Sequence, residues 1–90
     1  MQGTRLFYEP GEEDFVWRIA STPGAYGSRN GKDWYGTTPN GLLGTLTKHT
    51  VIEHEDGTIT VSPSILVTSG SNQGQPSWHG FLERGVWREC

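Results

Sequence analysis

Residues 53–66 have the sequence EHEDGTITVSPSIL, and residues 78–87 have the sequence WHGFLERGVW. Each stretch contains two extended segments separated by an acidic residue, a charged residue and a glycine. Such a triplet suits a type I turn that a glycine closes at positive φ before the second strand begins. In the first stretch Ile59 and Val61 share one strand face while the threonines beside them point away, as in a half-buried antiparallel pair. The chain is therefore predicted to contain two β-hairpins.

Shorter segments elsewhere also have strand-forming residues. Residues 6–8 are predicted to be a short strand, and residues 15–19 are β-branched and aromatic enough to be another. The alternative for the second segment is a helix over residues 12–20, with acidic side chains near the positive end of its dipole. Pro63 has no amide proton to donate, so it is predicted to break the ladder of the first hairpin.

Residues 21–41 contain Pro-Gly, Asn-Gly and Pro-Asn-Gly sequences, and this density of turn residues predicts a long, irregular Gly-rich surface loop. A second polar loop is predicted at residues 69–76. The fold class is therefore mainly β. A single domain over residues 1–90 is expected to form a small antiparallel sheet or partly open barrel built from hairpins, with the long Gly-rich loop attached.

The composition limits both the core and the partners. Only 32% of the 90 residues are hydrophobic, so four Trp, three Tyr and three Phe must supply much of the buried apolar area. Most of the Trp side chains, Trp78 and Trp87 above all, are therefore expected to be packed inside. The formal charge of −3 gives no clustered positive face, which excludes general nucleic-acid binding by counterion release.

The chain has one cysteine, Cys90, and therefore no internal disulfide, which fits a reducing compartment. Residues 1–10 lack the apolar run of a signal peptide, and no segment has the length and apolarity of a membrane span. A cytoplasmic protein with no membrane partner is expected.

The residues do not form a recognisable catalytic or metal motif. His49 and His54 would lie on opposite strand faces, and no second cysteine completes a tetrahedral set, so neither a metal nor another cofactor is expected. Ser64 lacks the Gly-x-Ser-x-Gly elbow of a nucleophile. His79 could act with Glu83 or Glu53 as an acid–base pair, but a hydrogen-bonded or surface histidine is the simpler interpretation.

The remaining carboxylates are also better explained by structure than by catalysis. Glu55 and Asp56 are adjacent in the sequence, and adjacent strand residues point to opposite sides, so they are expected to form a solvated hairpin tip. No nucleophile, base or metal-ligand set occurs at usable spacing, and the chain is therefore not expected to be an enzyme.

Residues 23–36 hold the strongest candidates for binding. Glycines and a lysine in residues 24–32 could form an anion-contacting loop, although the spacing of a P-loop is absent. Aromatic rings could stack on a base or anchor a protein, and basic side chains could meet a phosphate. The predicted ligand or partner contacts are Tyr26, Arg29, Lys32, Trp34, Tyr35, His79 and Arg84.

The sequences at residues 38–41, 53–66, 78–82 and 85–87 resemble those of small uncharacterised proteins encoded by tailed bacteriophages and prophages. The resemblance covers about residues 37–90 and leaves residues 1–36 uncovered. A broader uncharacterised domain family has a similar Ser-Ile and His-Gly-Phe pattern, with paired cysteines in many members. This chain lacks those pairs, so no metal is carried over.

The resemblance implies a phage protein that works in the host cytoplasm. Small acidic phage proteins commonly act by binding, so the expected function is non-enzymatic neutralisation of a host component, either a defence protein or a small signalling nucleotide. The alternative is a structural or accessory virion protein whose exposed strand edges assemble into a homo-oligomer.

Overall fold

A computed structural model describes residues 1–67 and 77–90. This part of the chain is mainly β, as predicted, and the loop predicted at residues 69–76 lies outside it. The described elements are one helix and eight strands: α1 (Phe15–Ala20), β1 (Thr4–Arg5), β2 (Ala25–Ser28), β3 (Trp34–Thr37), β4 (Leu43–Thr45), β5 (Thr50–Glu53), β6 (Ile59–Val67), β7 (Trp78–Glu83) and β8 (Val86–Glu89).

The strands form two four-stranded sheets, with the orders β1-β2-β3-β4 and β5-β6-β7-β8. All neighbours are antiparallel except β1 and β2, which are parallel. The residues before β1 pair with β8: the Trp87 N–H donates to the Met1 carbonyl at 2.8 Å, and the Gly3 N–H donates to the Gly85 carbonyl at 2.7 Å. The start of the chain therefore joins the two sheets, which within the described ranges do not close into a barrel.

The inner faces of the two sheets share one aromatic core. Trp78 and Trp87 meet edge to face with ring centroids 5.4 Å apart, and the Trp87 indole N–H donates to the Gly24 carbonyl at 2.9 Å. Three of the four Trp side chains are thus structural, as the composition predicted. The buried members of this core are Tyr26, Trp34, Leu46, Ile59, Val61, Ile65, Trp78, Leu82 and Trp87.

The strand predicted at residues 15–19 is wrong, because these residues form α1, which lies within the alternative helix predicted over residues 12–20. Phe15 and Ile19 are both fully buried, whereas Trp17 between them is 70% exposed. A strand would place all three side chains on one face, but a helix puts positions four apart together and turns the middle one away. Phe15 and Ile19 pack on Ala25 at the outer face of the first sheet. The propensity for strand was overridden by this packing.

The long surface loop predicted at residues 21–41 is also wrong, because β2 and β3 lie within it as a hairpin. All four residues of β2 are buried. A side chain at Gly27 would place its Cβ 2.5 Å from the Leu6 carbonyl oxygen and 2.9 Å from Phe15 Cζ. The glycine marks a close approach inside a strand rather than a turn.

The short strand predicted at residues 6–8 is also displaced, because the strand in this part of the chain is β1, which spans Thr4–Arg5.

The two hairpins predicted from the C-terminal half are confirmed. In the β5–β6 turn Gly57 has φ 86°, and its N–H donates to the His54 carbonyl at 3.0 Å, as expected for a type I turn closed by glycine. The β7–β8 turn differs from its prediction. Arg84 and Gly85 both have positive φ, at 46° and 77°, which is the pattern of a two-residue type I′ turn.

The ladder of the first hairpin ends at Pro63 as predicted, because the Thr50–Ser62 pair directly before it is the last pair between β5 and β6. The pairing of β6 with β7 shifts register between Val61 and Ile65, around the residue that has no amide proton. β6 nevertheless continues as one strand to Val67. The proline therefore interrupts the ladder without ending the strand.

Candidate functional site

The turn between β2 and β3 is held together by its own side chains. Ser28 Oγ accepts from the backbone N–H of Gly31 at 2.9 Å. Asn30 Oδ1 accepts from the backbone N–H groups of Lys32 and Asp33, both at 2.8 Å. These amides are the donors that an anion would require. Because they are already satisfied within the turn, the geometry does not favour the anion-contacting loop predicted at residues 24–32.

Two of the predicted ligand contacts lie in the core. Tyr26 is 1% exposed and Trp34 is 3% exposed, so neither ring offers a face to a ligand. Burial also raises the pKa of the Tyr26 hydroxyl by desolvation. Tyr35 is half-buried against the cluster beneath α1, while Arg29 and Lys32 are exposed near the turn. The stacking platform expected at residues 23–36 is therefore not formed.

The other two predicted contacts, His79 and Arg84, are exposed but lie at opposite ends of β7. His79 lies near the start of β7, and Arg84 lies in the turn that follows the end of this strand. The backbone N–H of Arg84 donates to Thr60 Oγ1 at 3.0 Å, which fixes the turn against β6. The seven predicted residues consequently do not converge on one site.

The partner of His79 is Ser64 rather than a carboxylate. Its Nε2 and Ser64 Oγ are hydrogen-bonded at 3.0 Å, while the Nε2–H of His49 donates to the Ser64 carbonyl at 3.2 Å. This partner of Ser64 could not be predicted from the sequence, because residues 64 and 79 meet only through the pairing of β6 with β7. The contact has the distance of a nucleophile and its base. However, it lies on the outer face of the second sheet.

The predicted hairpin tip is confirmed at Asp56. Its Oδ1 accepts from the Thr58 hydroxyl at 2.6 Å and from the Thr58 N–H at 3.0 Å, and the first of these bonds is the main cause of its lowered pKa. Across residues 1–67 and 77–90, no group of three or more His, Cys, Asp or Glu side chains is placed to hold a metal ion.

A feature that the sequence did not predict is the clamped guanidinium of Arg5. Its Cζ lies 4.6 Å from the ring centroid of Phe7 and 4.9 Å from that of Trp34. Nη1 donates to Glu53 Oε2 at 2.9 Å and to the Gly57 carbonyl at 2.8 Å. Stacking between two rings is favourable for a guanidinium. Arg5 therefore joins the first sheet to the β5–β6 hairpin and holds Phe7 in place.

A cleft of about 610 Å³ lies beside this clamp. Arg18 forms one side of it: its Nε donates to Glu12 Oε2 at 2.7 Å, and its Nη2 donates to the Phe7 carbonyl at 2.8 Å. These bonds tie α1 to the segment that carries Phe7. The cleft is lined by Arg5, Leu6, Phe7, Glu9, Glu12 and Arg18.

The ion pair at this cleft predicts a pH dependence of stability. The hydrogen bond from Arg18 is the largest cause that lowers the pKa of Glu12 from its ordinary value of 4.5. A lowered folded-state pKa means that the pair stabilises the fold fully above pH 4.5 and that this contribution is lost as the pH falls through the lowered pKa. We expect the melting temperature of Glu12→Gln to lie below that of the wild type near neutral pH and to approach it in acid.

The matched control for that experiment is Glu13→Gln, because Glu13 is the exposed neighbouring carboxylate. Thermal unfolding followed by circular dichroism across the acid range would separate the two variants. If both showed the same difference from the wild type at every pH, the ion pair would have no measurable role.

Two large aromatic side chains remain exposed in residues 7–17, namely Phe7, which lines the cleft, and Trp17 on α1. Phe7 is 62% exposed and Trp17 is 70% exposed, although every other Trp of the chain is buried. Trp17 precedes Arg18 on α1, and the Arg18 Nη2 donates to the Phe7 carbonyl, so Arg18 links the segment that carries Phe7 to the helix that carries Trp17. We refer to Phe7, Trp17 and Arg18 together as the aromatic surface.

The segment that carries the aromatic surface has more negative than positive charge. Four carboxylates lie in the segment that links Phe7 to α1, those of Glu9, Glu12, Glu13 and Asp14. The positive charges nearby in the sequence are the two guanidinium groups of Arg5 and Arg18. Sequence reasoning missed this surface because it favoured a strand over the alternative helix at residues 15–19. The helical spacing of Phe15 and Ile19 around Trp17 is the signal that could have revealed it.

No protein-family model matches this chain, and neither a curated protein nor a solved structure matches it significantly. In the ranges that the structure describes, α1 has six residues, and no helix there has the length and apolarity to cross a bilayer.

Proposed function

We propose that this chain is a phage-encoded, non-enzymatic binding protein that neutralises a host protein, such as a defence protein, through its aromatic surface. One observation carries the proposal: Trp17 and Phe7 remain 70% and 62% exposed in a chain whose core depends on aromatic residues. Aromatic side chains and Arg supply most of the energy of protein interfaces. The aromatic surface has both, since Arg18 follows Trp17 on α1 and donates to the Phe7 carbonyl.

The contacts that hold Phe7 and α1 in place favour binding of a partner to a preformed surface. Phe7 stacks on Arg5, which is itself bonded to Glu53 and Gly57, so its position is set by the β5–β6 hairpin. Trp17 belongs to a helix whose opposite face is fully buried at Phe15 and Ile19. Anchors that are already held in place lose less side-chain entropy when they bind.

The charge around the surface favours a partner with basic residues. The four carboxylates between Phe7 and α1 would attract lysine or arginine side chains at the rim of an apolar pocket in the host protein. Rim charges of this kind act mainly on the rate of association and on its salt dependence. Binding should therefore weaken as the salt concentration rises.

A small signalling nucleotide is a less favoured target. Tyr26 and Trp34 are buried, and the amides of the β2–β3 turn are occupied by Ser28 and Asn30. A nucleotide would need an open ring for its base and free donors for its phosphate. A second cleft, of about 310 Å³, lies beside Phe81 on the second sheet. Enzymatic activity has little support, since Ser64 and His79 line neither this cleft nor the one beside Arg5.

The test is a binding titration with three forms of the chain. The host protein would be captured from a bacterial lysate, purified, and titrated against the wild type, Trp17→Ala and Leu66→Ala by calorimetry. Leu66 is the matched control because it is 61% exposed and lies on the second sheet. We expect Trp17→Ala to raise Kd by about 30-fold or more, as for an interface anchor. Leu66→Ala should bind like the wild type.

Equal affinity of Trp17→Ala and the wild type would overturn the assignment of the aromatic surface. A comparable loss in Leu66→Ala with none in Trp17→Ala would move the interface to the second sheet. Circular dichroism of each variant is needed to show that a loss of affinity does not come from a loss of folding.

A further inference from the structure

Within residues 1–67 and 77–90, β5 is the edge strand of the second sheet and pairs on one side only, with β6. The His54 N–H donates to the Thr58 carbonyl at 2.8 Å, which makes this pair a hydrogen-bonded one. Such pairs alternate along an antiparallel ladder, so Ile52 and Thr50 also face β6 with their backbone groups. The N–H and C=O groups of Val51 and Glu53 therefore point outwards from the sheet.

The side chains of β5 suit a symmetric contact. Ile52 is 53% exposed and lies midway between the two residues whose backbone groups point outwards. If a second β5 added antiparallel, Val51 of one copy would exchange hydrogen bonds with Glu53 of the other. The two copies of Ile52 would then face each other on the two-fold axis as a close, non-hydrogen-bonded pair.

The charges at the two ends of β5 are complementary. The turn before β5 holds the basic side chain of Lys48, and the turn after it holds the acidic side chains of Glu55 and Asp56. Antiparallel addition brings the start of one strand beside the end of the other, so the basic turn of each copy meets the acidic turn of its partner. Like charges do not oppose each other in this arrangement, which is what specific strand pairing requires.

We propose that this chain forms a two-fold symmetric dimer by antiparallel pairing of β5 with β5 of a second copy, centred on Ile52. The second sheet of one copy and the second sheet of the other then form one continuous eight-stranded sheet, and the exposed edge of β5 is covered. The inference does not depend on the proposed function, because none of its contacts involves Phe7, Trp17 or Arg18. A dimer would present two copies of the aromatic surface.

Cysteine cross-linking tests the register. In a Cys90→Ser background, Ile52→Cys should form an intermolecular disulfide under mild oxidation, because facing residues in a non-hydrogen-bonded pair are within disulfide distance. Thr50→Cys is the matched control on the same strand face. Its two copies would be roughly 13 Å apart, four residues along the ladder, which is too far for a disulfide. We expect at least about tenfold faster cross-linking for Ile52→Cys.

Sedimentation of the unmodified chain provides the second measurement. A concentration-dependent dimer that Ile52→Lys converts to monomer would support the proposal, since two facing lysines repel each other. A monomer at all concentrations would overturn it. Faster cross-linking of Thr50→Cys than of Ile52→Cys would overturn the register, and a dimer unaffected by Ile52→Lys would place the interface elsewhere.

Discussion

Replacement of Trp87 by alanine is expected to lower the free energy of unfolding by about 3–5 kcal/mol. Trp87 is 2% exposed and packs edge to face on Trp78, and its indole N–H donates to the Gly24 carbonyl. It also lies against Gly36 of the other sheet, where an added Cβ would be 3.1 Å from the Trp87 Cη2. Truncation would therefore leave a cavity between the two sheets.

A loss of this size is a large fraction of the stability of a small domain, which is about 5–15 kcal/mol. The matched control is Trp17→Ala, the same substitution at a 70% exposed position, which should change the free energy of unfolding by no more than about 0.5 kcal/mol. Trp87→Phe keeps a ring but loses the indole donor, and should fall between the two. Urea unfolding gives all three values, and equal losses at positions 87 and 17 would contradict the assignment of Trp87 to the core.

Replacement of Gly80 by alanine is expected to destabilise the second sheet by about 3 kcal/mol, at the upper end of overpacking effects. An added methyl group would overlap the Arg88 carbonyl oxygen and lie 2.5 Å from Trp78 Cη2 and 2.9 Å from Glu89 Cα. Two of these atoms are backbone atoms of the segment paired with β7. They cannot move away without separating β7 from β8.

The matched control for Gly80→Ala is Gly44→Ala. A Cβ at Gly44 would also be too close, at 2.8 Å, but only to the Cγ2 of Val67, and a side chain can shift more readily than a strand. Thermal unfolding should therefore show a clearly smaller loss for Gly44→Ala. Equal losses, or a wild-type melting temperature for Gly80→Ala, would contradict the close packing of β7 on β8.

The hairpins were predictable because their information is local. Between residues 53 and 66, alternation, the turn glycine and Pro63 all act within a few positions, and each has its predicted consequence. α1 was not predictable from propensity, because the burial of Phe15 and Ile19 against the first sheet decided its conformation. The glycines of β2 and β3 led to the wrong prediction of a long loop for a similar reason, because the sequence does not show which atoms pack against them in the fold.

The candidate site was harder to predict than the fold. Aromatic residues next to glycines suggested a binding loop, but Tyr26 and Trp34 were required for the core. The exposed pair, Phe7 and Trp17, became identifiable only when the conformation of α1 was known. The contact between Ser64 and His79 likewise depends on strand register across fifteen residues.

Native mass spectrometry tests the central claim most directly. The chain would be recovered gently from bacterial host cells as the wild type, Trp17→Ala and Leu66→Ala, and the mass of each intact assembly measured. The account predicts a retained host polypeptide in the wild type and in Leu66→Ala that is lost in Trp17→Ala. Recovery of the wild type without a host polypeptide, or with the same polypeptide retained by Trp17→Ala, would contradict it.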